Sequence, residues 1–467
     1  MSVRLNIKSI IKDFRFWVLL FFMIRMYGIT NPPLEAAHNW RQSFTCMVAR
    51  NFYEVDPNIF FPRIDIDGNR SGIVGCEFPL LNYMIFLVSK IFGYAHWYGR
   101  LINLIVSSLG VFCFYLILRK YFGDKTAFYS GLILLCSLWF SYSRKIMPDT
   151  FSLSLIMIGV YYATIYISEN KIFPLILFIV FSMLGGLAKL PAIIILSFLI
   201  IPFILKSIAP KALVILGFAM VLLISVVAAW YYYWVPFLVK NYGFQHFFEK
   251  DIVTGISEVS VHWREAFEKF YFGSFLSFIA FAIFLFGLFC SIRSKSKTLL
   301  GVFTLALLIF LFFAVKTGAV FPTHSYYILP FVPFMALMAG YGLSEIRKNN
   351  IRIIFVVAIM IESIANQQHD FRIKDSELYL LNLEKIADKV SEKNDLVAFS
   401  GVFGYQQMYF AHRRGWSLDF SGWNDPIYLE SIKQQGCKLL FINKKDSCTK
   451  LNLKIIFENE NYTVYKL

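Results

Sequence analysis

Charge is what this sequence has least of. Only 16% of its 467 residues are Asp, Glu, Lys or Arg, against about 25% in an average soluble domain. With 58% hydrophobic and 18% aromatic residues and a mean hydropathy of +0.59, a soluble globular fold is excluded. Acids are scarcer than bases, 30 against 45, which leaves a net charge of +15. A basic excess can mark a nucleic-acid binder, but that requires Lys and Arg gathered on a soluble face. Here they fall in short gaps between apolar runs, where they set membrane orientation.

Other absences narrow the class further. There is no internal repeat, no low-complexity tract and no zinc-ligand spacing. The basic start (Arg4, Lys8, Lys12 and Arg15 ahead of the apolar run 16–22) lacks a small-residue cleavage site, and Arg25 interrupts the run. It reads as an uncleaved first helix, not a signal peptide. The seven cysteines are scattered. Cys46 and Cys76 share one polar stretch and Cys437 and Cys448 share the C-terminal tail, so either pair could bridge in an oxidising compartment.

What is there is a series of apolar runs. A span needs about 20 mostly apolar residues, and candidates fall at 16–30, 98–118, 125–143, 150–167, 172–188, 190–205, 212–235, 273–292, 298–315, 326–343 and 351–366. The class is therefore an α-helical polytopic membrane protein with about eleven transmembrane helices. Arg119/Lys120/Lys125, Lys171, Lys206/Lys211, Arg293/Lys295/Lys297 and Arg347/Lys348/Arg352 occupy alternate gaps. With the basic N-terminus they belong on the cytoplasmic side. The gaps 31–97, 144–149, the surroundings of Lys189, 236–272, 316–325 and the tail from Gln367 then face outward. Leu80–Phe92 is too short to cross, and counting it would invert the downstream charge pattern; it reads as a helix lying at the outer interface.

The tail changes character. Short apolar runs at 396–399, 439–442 and 454–457 read as strands, and 376–393 and 426–435 as helices. The expected division is a membrane domain over 1–366, with its first outward loop at 31–97, and a small extracytoplasmic α/β domain over 367–467. Two glycosylation sequons, at Asn69 and Asn461, are of a kind common by chance.

Polar chemistry collects in the outward segments. The first holds Glu35, His38, Arg41, Gln42, Arg50, Asp65, Asp67 and Glu77; the second is Arg144-Lys145-Ile146-Met147-Pro148-Asp149. Asp149 stands where a helix begins, so it reads either as that helix's cap or as a catalytic carboxylate, and the two are compatible. Lys189, in Gly185-Gly186-Leu187-Ala188-Lys189-Leu190-Pro191, reads either as an interfacial lysine snorkelling to headgroups or as an anion ligand. The stretch from Lys316 through His324 to Tyr326-Tyr327 repeats the theme. Outward cations beside outward acids run against the positive-inside trend and suggest a phosphate-binding site. Arg25 lies within the first span, where an embedded charge is a functional candidate unless it snorkels. The gap 236–272, with His246, His262, Trp263 and Arg264, either helps select an acceptor or covers the cavity.

Taken in order, these motifs resemble the polyprenyl-phosphate-dependent glycosyltransferases of the GT-C fold. That superfamily includes the protein O-mannosyltransferases and the bacterial transferases that place aminoarabinose on lipid A. The resemblance covers nearly the whole chain: Glu77-Phe78-Pro79-Leu80-Leu81, Phe92-Gly93 with Arg100-Leu101, Met147-Pro148-Asp149, Ala188-Lys189, and His324 with Tyr326-Tyr327 and Leu329-Pro330. It implies a multi-pass enzyme of the bacterial inner membrane that takes a sugar from a polyprenyl phosphate and passes it, with inversion, to an extracytoplasmic lipid, surface glycan or protein. It implies Glu35, His38 and Asp149 as catalytic groups, Arg41, Arg100, Lys189, Lys316 and His324 as donor-phosphate ligands, and Gln42 and Glu77 in support. Relatives carry an aspartate eight or nine residues before Arg50, where this chain has Arg41 and Gln42. The base is therefore left to Glu35 or His38. The resemblance singles out no certain cofactor; a divalent metal is possible, with Glu77 able either to bind it or to organise Arg41. A transporter or flippase of polyprenyl-linked saccharides, or a lipid-linked polysaccharide polymerase or ligase, are the alternatives. Sugar and acceptor are not encoded in any motif.

Overall fold

The computed structural model describes residues 7–244, 249–401, 404–445 and 451–467. Arg4, His246 and Cys448, singled out above, lie outside the described residues. The chain folds into two compact units, Met1–Ile29 with Arg100–Tyr233 and Phe247–Phe371, and Thr30–Gly99 with Trp234–His246 and Arg372–Leu467.

The first unit is helical. After a short helix, Ile7–Lys12, its first apolar helix, Phe14–Arg25, starts at Asp13, whose side chain accepts the Arg15 N–H and so satisfies one of the orphan donors of a helix start. Helix Tyr98–Cys136 runs through two of the expected spans and is broken at Gly123, whose φ of 81° lies where only glycine is comfortable. Helix Pro148–Glu169 begins with a proline at its first position, where the missing N–H costs nothing, and ends at Asn170 in the left-handed conformation. Ile172–Ala188 packs beside it. Beyond these come Lys297–Thr317, Val332–Glu345 and Asn349–Gln367.

Among the described residues, five helices are long and apolar enough to cross a membrane. A sixth crossing results if Trp263–Gly273 and Phe278–Arg293, bent by 87°, count as one. Each of the eleven apolar runs meets a helical segment, but several are shorter than a bilayer: Phe14–Arg25 has 12 residues, Val332–Glu345 has 14, and Leu190–Leu199 is a 3₁₀ helix. Hydropathy detects the run and not the break within it. Burial separates inner from outer helices. Within its apolar window Pro148–Glu169 is 72% buried, whereas Asn349–Phe371 is 17% buried, which leaves it an exposed apolar face of the kind a lipid-facing helix presents.

The second unit joins the first long connection to the tail, although residues 100–371 separate them in sequence. Helix Leu80–Phe92, bounded as the sequence indicates, packs on helix Asn39–Glu54. The tail carries five strands: β1 Leu396–Ser400, β2 Arg414–Leu418, β3 Cys437–Asn443, β4 Lys454–Glu458 and β5 Tyr462–Lys466. Their order is β2-β1-β3-β5-β4. β1 is parallel to β2 and β3, while β5 is antiparallel to β3 and β4. The sequence reading found β1, β3 and β4 and missed β2 and β5. β2 would be an open edge, but the Gly415 N–H donates to the Asp65 carbonyl at 2.9 Å and the Gly68 N–H to the Gly415 carbonyl at 2.7 Å. A side chain at Gly415, φ 147°, would strike the Val397 carbonyl. The Cys46–Cys76 bridge that the sequence allowed is not formed: both are buried free thiols, as is Cys437. Buried thiols at separate packing positions serve as small apolar side chains.

His412 clamps two carboxylates in this unit. Its Nε2 lies 2.8 Å from Glu54 Oε2 and its Nδ1 2.9 Å from Glu384 Oε1, with Lys393 2.6 Å from Glu384. Burial pushes both carboxyls up, but hydrogen bonds and charge from His412 and Lys393 outweigh it and hold both below the ordinary 4.5. Depressed carboxylate pKa values give stability that is present above pH 4.5 and lost as pH falls through the depressed values. His412→Ala should therefore raise the pH midpoint of acid unfolding, followed by tryptophan fluorescence; an unchanged midpoint would remove the clamp from the stability of this unit.

Candidate active site

In the first unit the site is built around Asp149. Met147 is the N-cap of helix Pro148–Glu169, so Asp149 stands in the first turn, where the positive helix end favours a carboxylate, and does not cap it. Its Oδ1 lies 3.6 Å from Lys189 Nζ, and its Oδ2 has no hydrogen-bond partner among the described residues. Lys189, in extended conformation directly after helix Ile172–Ala188, turns inward and does not reach for headgroups. Its ammonium sits 5.6 Å from the Tyr326 ring and 6.0 Å from the Tyr327 ring, within cation–π range. The two rings stack at 4.7 Å. Asp149, Ser152, Lys189, Tyr326, Tyr327 and Pro330 line a narrow cleft that encloses about 10 Å³, room for roughly one water.

His324 stands against the same tyrosines, edge-on at 5.7 and 6.1 Å. Its Nδ1 is 2.9 Å from Thr323 Oγ1 and 3.2 Å from the Val320 carbonyl. Burial lowers its pKa below the ordinary imidazole value; the Val320 carbonyl opposes this, and the nearby Lys269 and Lys189 charges add to it.

The turn that presents Asp149 is held from behind. Buried Asn103 donates to the Lys145 and Tyr142 carbonyls at 2.8 and 3.2 Å, and its Oδ1 accepts from Thr150 Oγ1 at 3.1 Å. Arg144 donates to the Gly28 carbonyl at 2.8 Å and lies over the Phe371 ring at 4.4 Å; Lys145 Nζ reaches the Asp370 carbonyl at 3.4 Å. Arg25 is fully buried, donating to the Phe21 carbonyl and to Ser143 and Ser108, so it anchors the first helix and does not snorkel. Asn103 escaped the sequence reading, although an amide inside an apolar run is itself a signal, since it must find partners there. Arg100 is fully buried at the start of its helix and does not line the cleft. Lys316 also stands away from it, 3.6 Å from Glu249.

In the second unit Glu35 is fully buried. It accepts from Asn31 Nδ2 at 2.9 Å and bridges Ile373 by backbone pairing. Ala37 and His38 follow with φ of 59° and 60°, two consecutive left-handed residues that side chains disfavour. Such strain is sustained only where the surroundings impose it. Arg41 forms a buried ion pair with Glu77 and lies 4.8 Å from the Phe44 ring; Gln42 is fully buried. Of the two roles open to Glu77, organising Arg41 is the one the geometry displays. Among the described residues no three His, Cys, Asp or Glu side chains converge as a three-ligand metal site requires.

Comparison with known proteins agrees with this architecture. A family model described as dolichyl-phosphate-mannose-protein mannosyltransferase matches residues 77–233, a stretch that holds Glu77, Arg100, Asp149 and Lys189. An uncharacterised protein of Aquifex aeolicus (strain VF5) is 27% identical over 293 residues, 61% of this chain; the chain spans about half, 56%, of that relative's length. Among solved structures, ArnT from Cupriavidus metallidurans bound to undecaprenyl phosphate superposes with a TM-score of 0.62 at 10% identity, covering 96% of this chain and 98% of that one. The oligosaccharyltransferase AglB from Archaeoglobus fulgidus, in complex with an inhibitory peptide and a dolichol-phosphate, gives 0.53 at 12% identity, covering 92% of this chain and 69% of that one. At such identities a shared fold is what the superpositions demonstrate. Over nearly its whole length the chain resembles the polyprenyl-phosphate-dependent glycosyltransferases of the GT-C class, and it has their fold.

Proposed function

We propose that this chain is an integral-membrane glycosyltransferase that moves a sugar from a polyprenyl phosphate to a hydroxyl-bearing acceptor outside the cytoplasm, with inversion at the anomeric carbon. The observation that carries the reading is the Asp149–Lys189 pair, one carboxylate oxygen unengaged, in a cleft walled by two stacked tyrosines. In the reaction the acceptor oxygen attacks the anomeric carbon, the bond from that carbon to the phosphate oxygen breaks, and the acceptor proton passes to a base. Lys189 supplies positive charge to the leaving phosphate, and Asp149 holds that ammonium in place. His324, against the same two tyrosines, is the further candidate for the phosphate. For the base, His38 has the stronger case of the two loop candidates: it is partly exposed, whereas Glu35 is wholly buried and engaged with Asn31.

Residues 1–366 form the transmembrane domain of this reading and 367–467 its extracytoplasmic domain, with the N-terminus in the cytoplasm of a bacterial inner membrane. That 30–99, 234–246 and 372–467 fold into one compact unit supports their lying on one side of the bilayer. Envelope glycans and glycoproteins compared by mass between a deletion strain and its parent test the reading. Loss of one defined sugar is expected; an unchanged profile with sugar-loaded carrier accumulating on the inner leaflet would replace it with a flippase.

A further inference from the structure

The second unit holds a larger cleft of about 520 Å³, at the end of β2 where the chain leaves the sheet. Ile66, Ser417, Asp419, Ser421, Asp425 and Tyr428 line it, together with Phe244, Leu418 and Gly422. It lies beyond the carboxyl end of β2, the edge strand that runs parallel to β1. Its size falls within the range of small-molecule sites.

The lining is selective by what it offers and what it omits. Asp419 Oδ1 accepts from the Gly422 N–H at 2.8 Å and from Ser421 Oγ at 2.7 Å; Asp425 Oδ1 accepts from the Ile427 N–H at 2.8 Å. Each carboxylate thus fixes itself through one oxygen at a helix start, and its Oδ2 carries no hydrogen bond to the described residues. The Ser421 hydroxyl and the Gly422 N–H hold the Asp419 carboxyl below the usual range, so it is charged at neutral pH. Tyr428 is exposed and presents a ring at the rim. Among the described residues no Lys, Arg or His lines the cleft, a lining that disfavours a phosphorylated or carboxylated ligand.

We infer that this cleft binds a neutral sugar ring, its hydroxyls donating to the free carboxylate oxygens of Asp419 and Asp425 and its apolar face lying on Tyr428. On the transferase reading above, that ring is part of the acceptor glycan, and the acceptor's bound portion is uncharged there. The binding itself does not depend on that reading.

The test uses the full chain in detergent, probed by saturation-transfer NMR with a panel of methyl pentosides and methyl hexosides, and with glucose 6-phosphate and inorganic phosphate as anionic controls. At least one neutral glycoside is expected to bind, unaffected by EDTA, with the two phosphates failing to displace it. Tyr428→Ala should weaken binding about fivefold or more, the scale of one lost ring contact. Asp425→Asn retains the helix cap, since Asn caps as well as Asp, and should weaken it comparably. Binding by no glycoside, binding indifferent to both substitutions, or binding abolished by EDTA would overturn the inference. Glycoside binding in a protein that transfers no sugar would overturn the transferase reading and leave the cleft standing.

Discussion

Replacing Asp149 with asparagine is expected to abolish detectable sugar transfer while the protein still inserts and folds. Asn keeps the shape of the side chain and its place in the first helical turn, so the turn held by Asn103 has no reason to move. What is lost is charge. Asp149 is the carboxylate 3.6 Å from Lys189, and with it gone the ammonium loses the charge that holds it in place for a leaving phosphate. Loss of one preorganised electrostatic group or one acid–base group costs roughly 10²–10⁴-fold in rate. The double variant Asp149→Asn/Lys189→Met should then fall little below either single one, because groups that act as a unit are not additive. Transfer from a radiolabelled polyprenyl-phosphate sugar measures the loss, and gel filtration in detergent verifies the fold. Full activity in Asp149→Asn would refute the assignment.

How the sequence exposed Asp149 and hid its surroundings has a physical basis. A carboxylate, a proline and a cation at the end of an apolar run are local signals, and so is Lys189 after Gly185-Gly186. Their approach to each other is a tertiary fact, made by the packing of Pro148–Glu169 on Ile172–Ala188. The same gap explains where the site reading thinned. Arg144 and Lys145 look like free outward cations in the sequence, yet one is spent on the Gly28 carbonyl and the Phe371 face, the other on Asp370. Helix Leu80–Phe92 was legible to the residue because Pro79 and Gly93 punctuate it. β2 was not, because Arg414-Gly415-Trp416-Ser417-Leu418 lacks clean alternation, and its edge is covered by residues 65–68, remote in sequence. The count of about eleven crossings counts apolar runs; the structure breaks several of them into helices shorter than a bilayer.

The largest stability effect is expected away from the cleft, at Asp65. Arg50 and Asp65 are both buried, their side chains 8% and 5% exposed, and paired at 2.9 Å. Asn51 Nδ2 donates to the second Asp65 oxygen at 2.9 Å, and Arg50 gives another hydrogen bond to the Tyr409 carbonyl at 2.8 Å while stacking on that ring at 4.7 Å. The network ties helix Asn39–Glu54 to the tail through Tyr409. Asp65→Ala removes the only carboxylate in direct contact with Arg50 among the described residues and leaves a guanidinium buried with one carbonyl. Stranding a buried charge costs about 3–5 kcal/mol, which in a unit of this size lowers the melting temperature by on the order of 10 °C. Removing both charges is a different experiment, because two apolar side chains of similar volume need no partner. Arg50→Met/Asp65→Leu should recover most of the loss. Differential scanning calorimetry of the two variants separates the cases: equal destabilisation in single and double variants would mean that the shape of the network, and not its charge balance, holds this unit together.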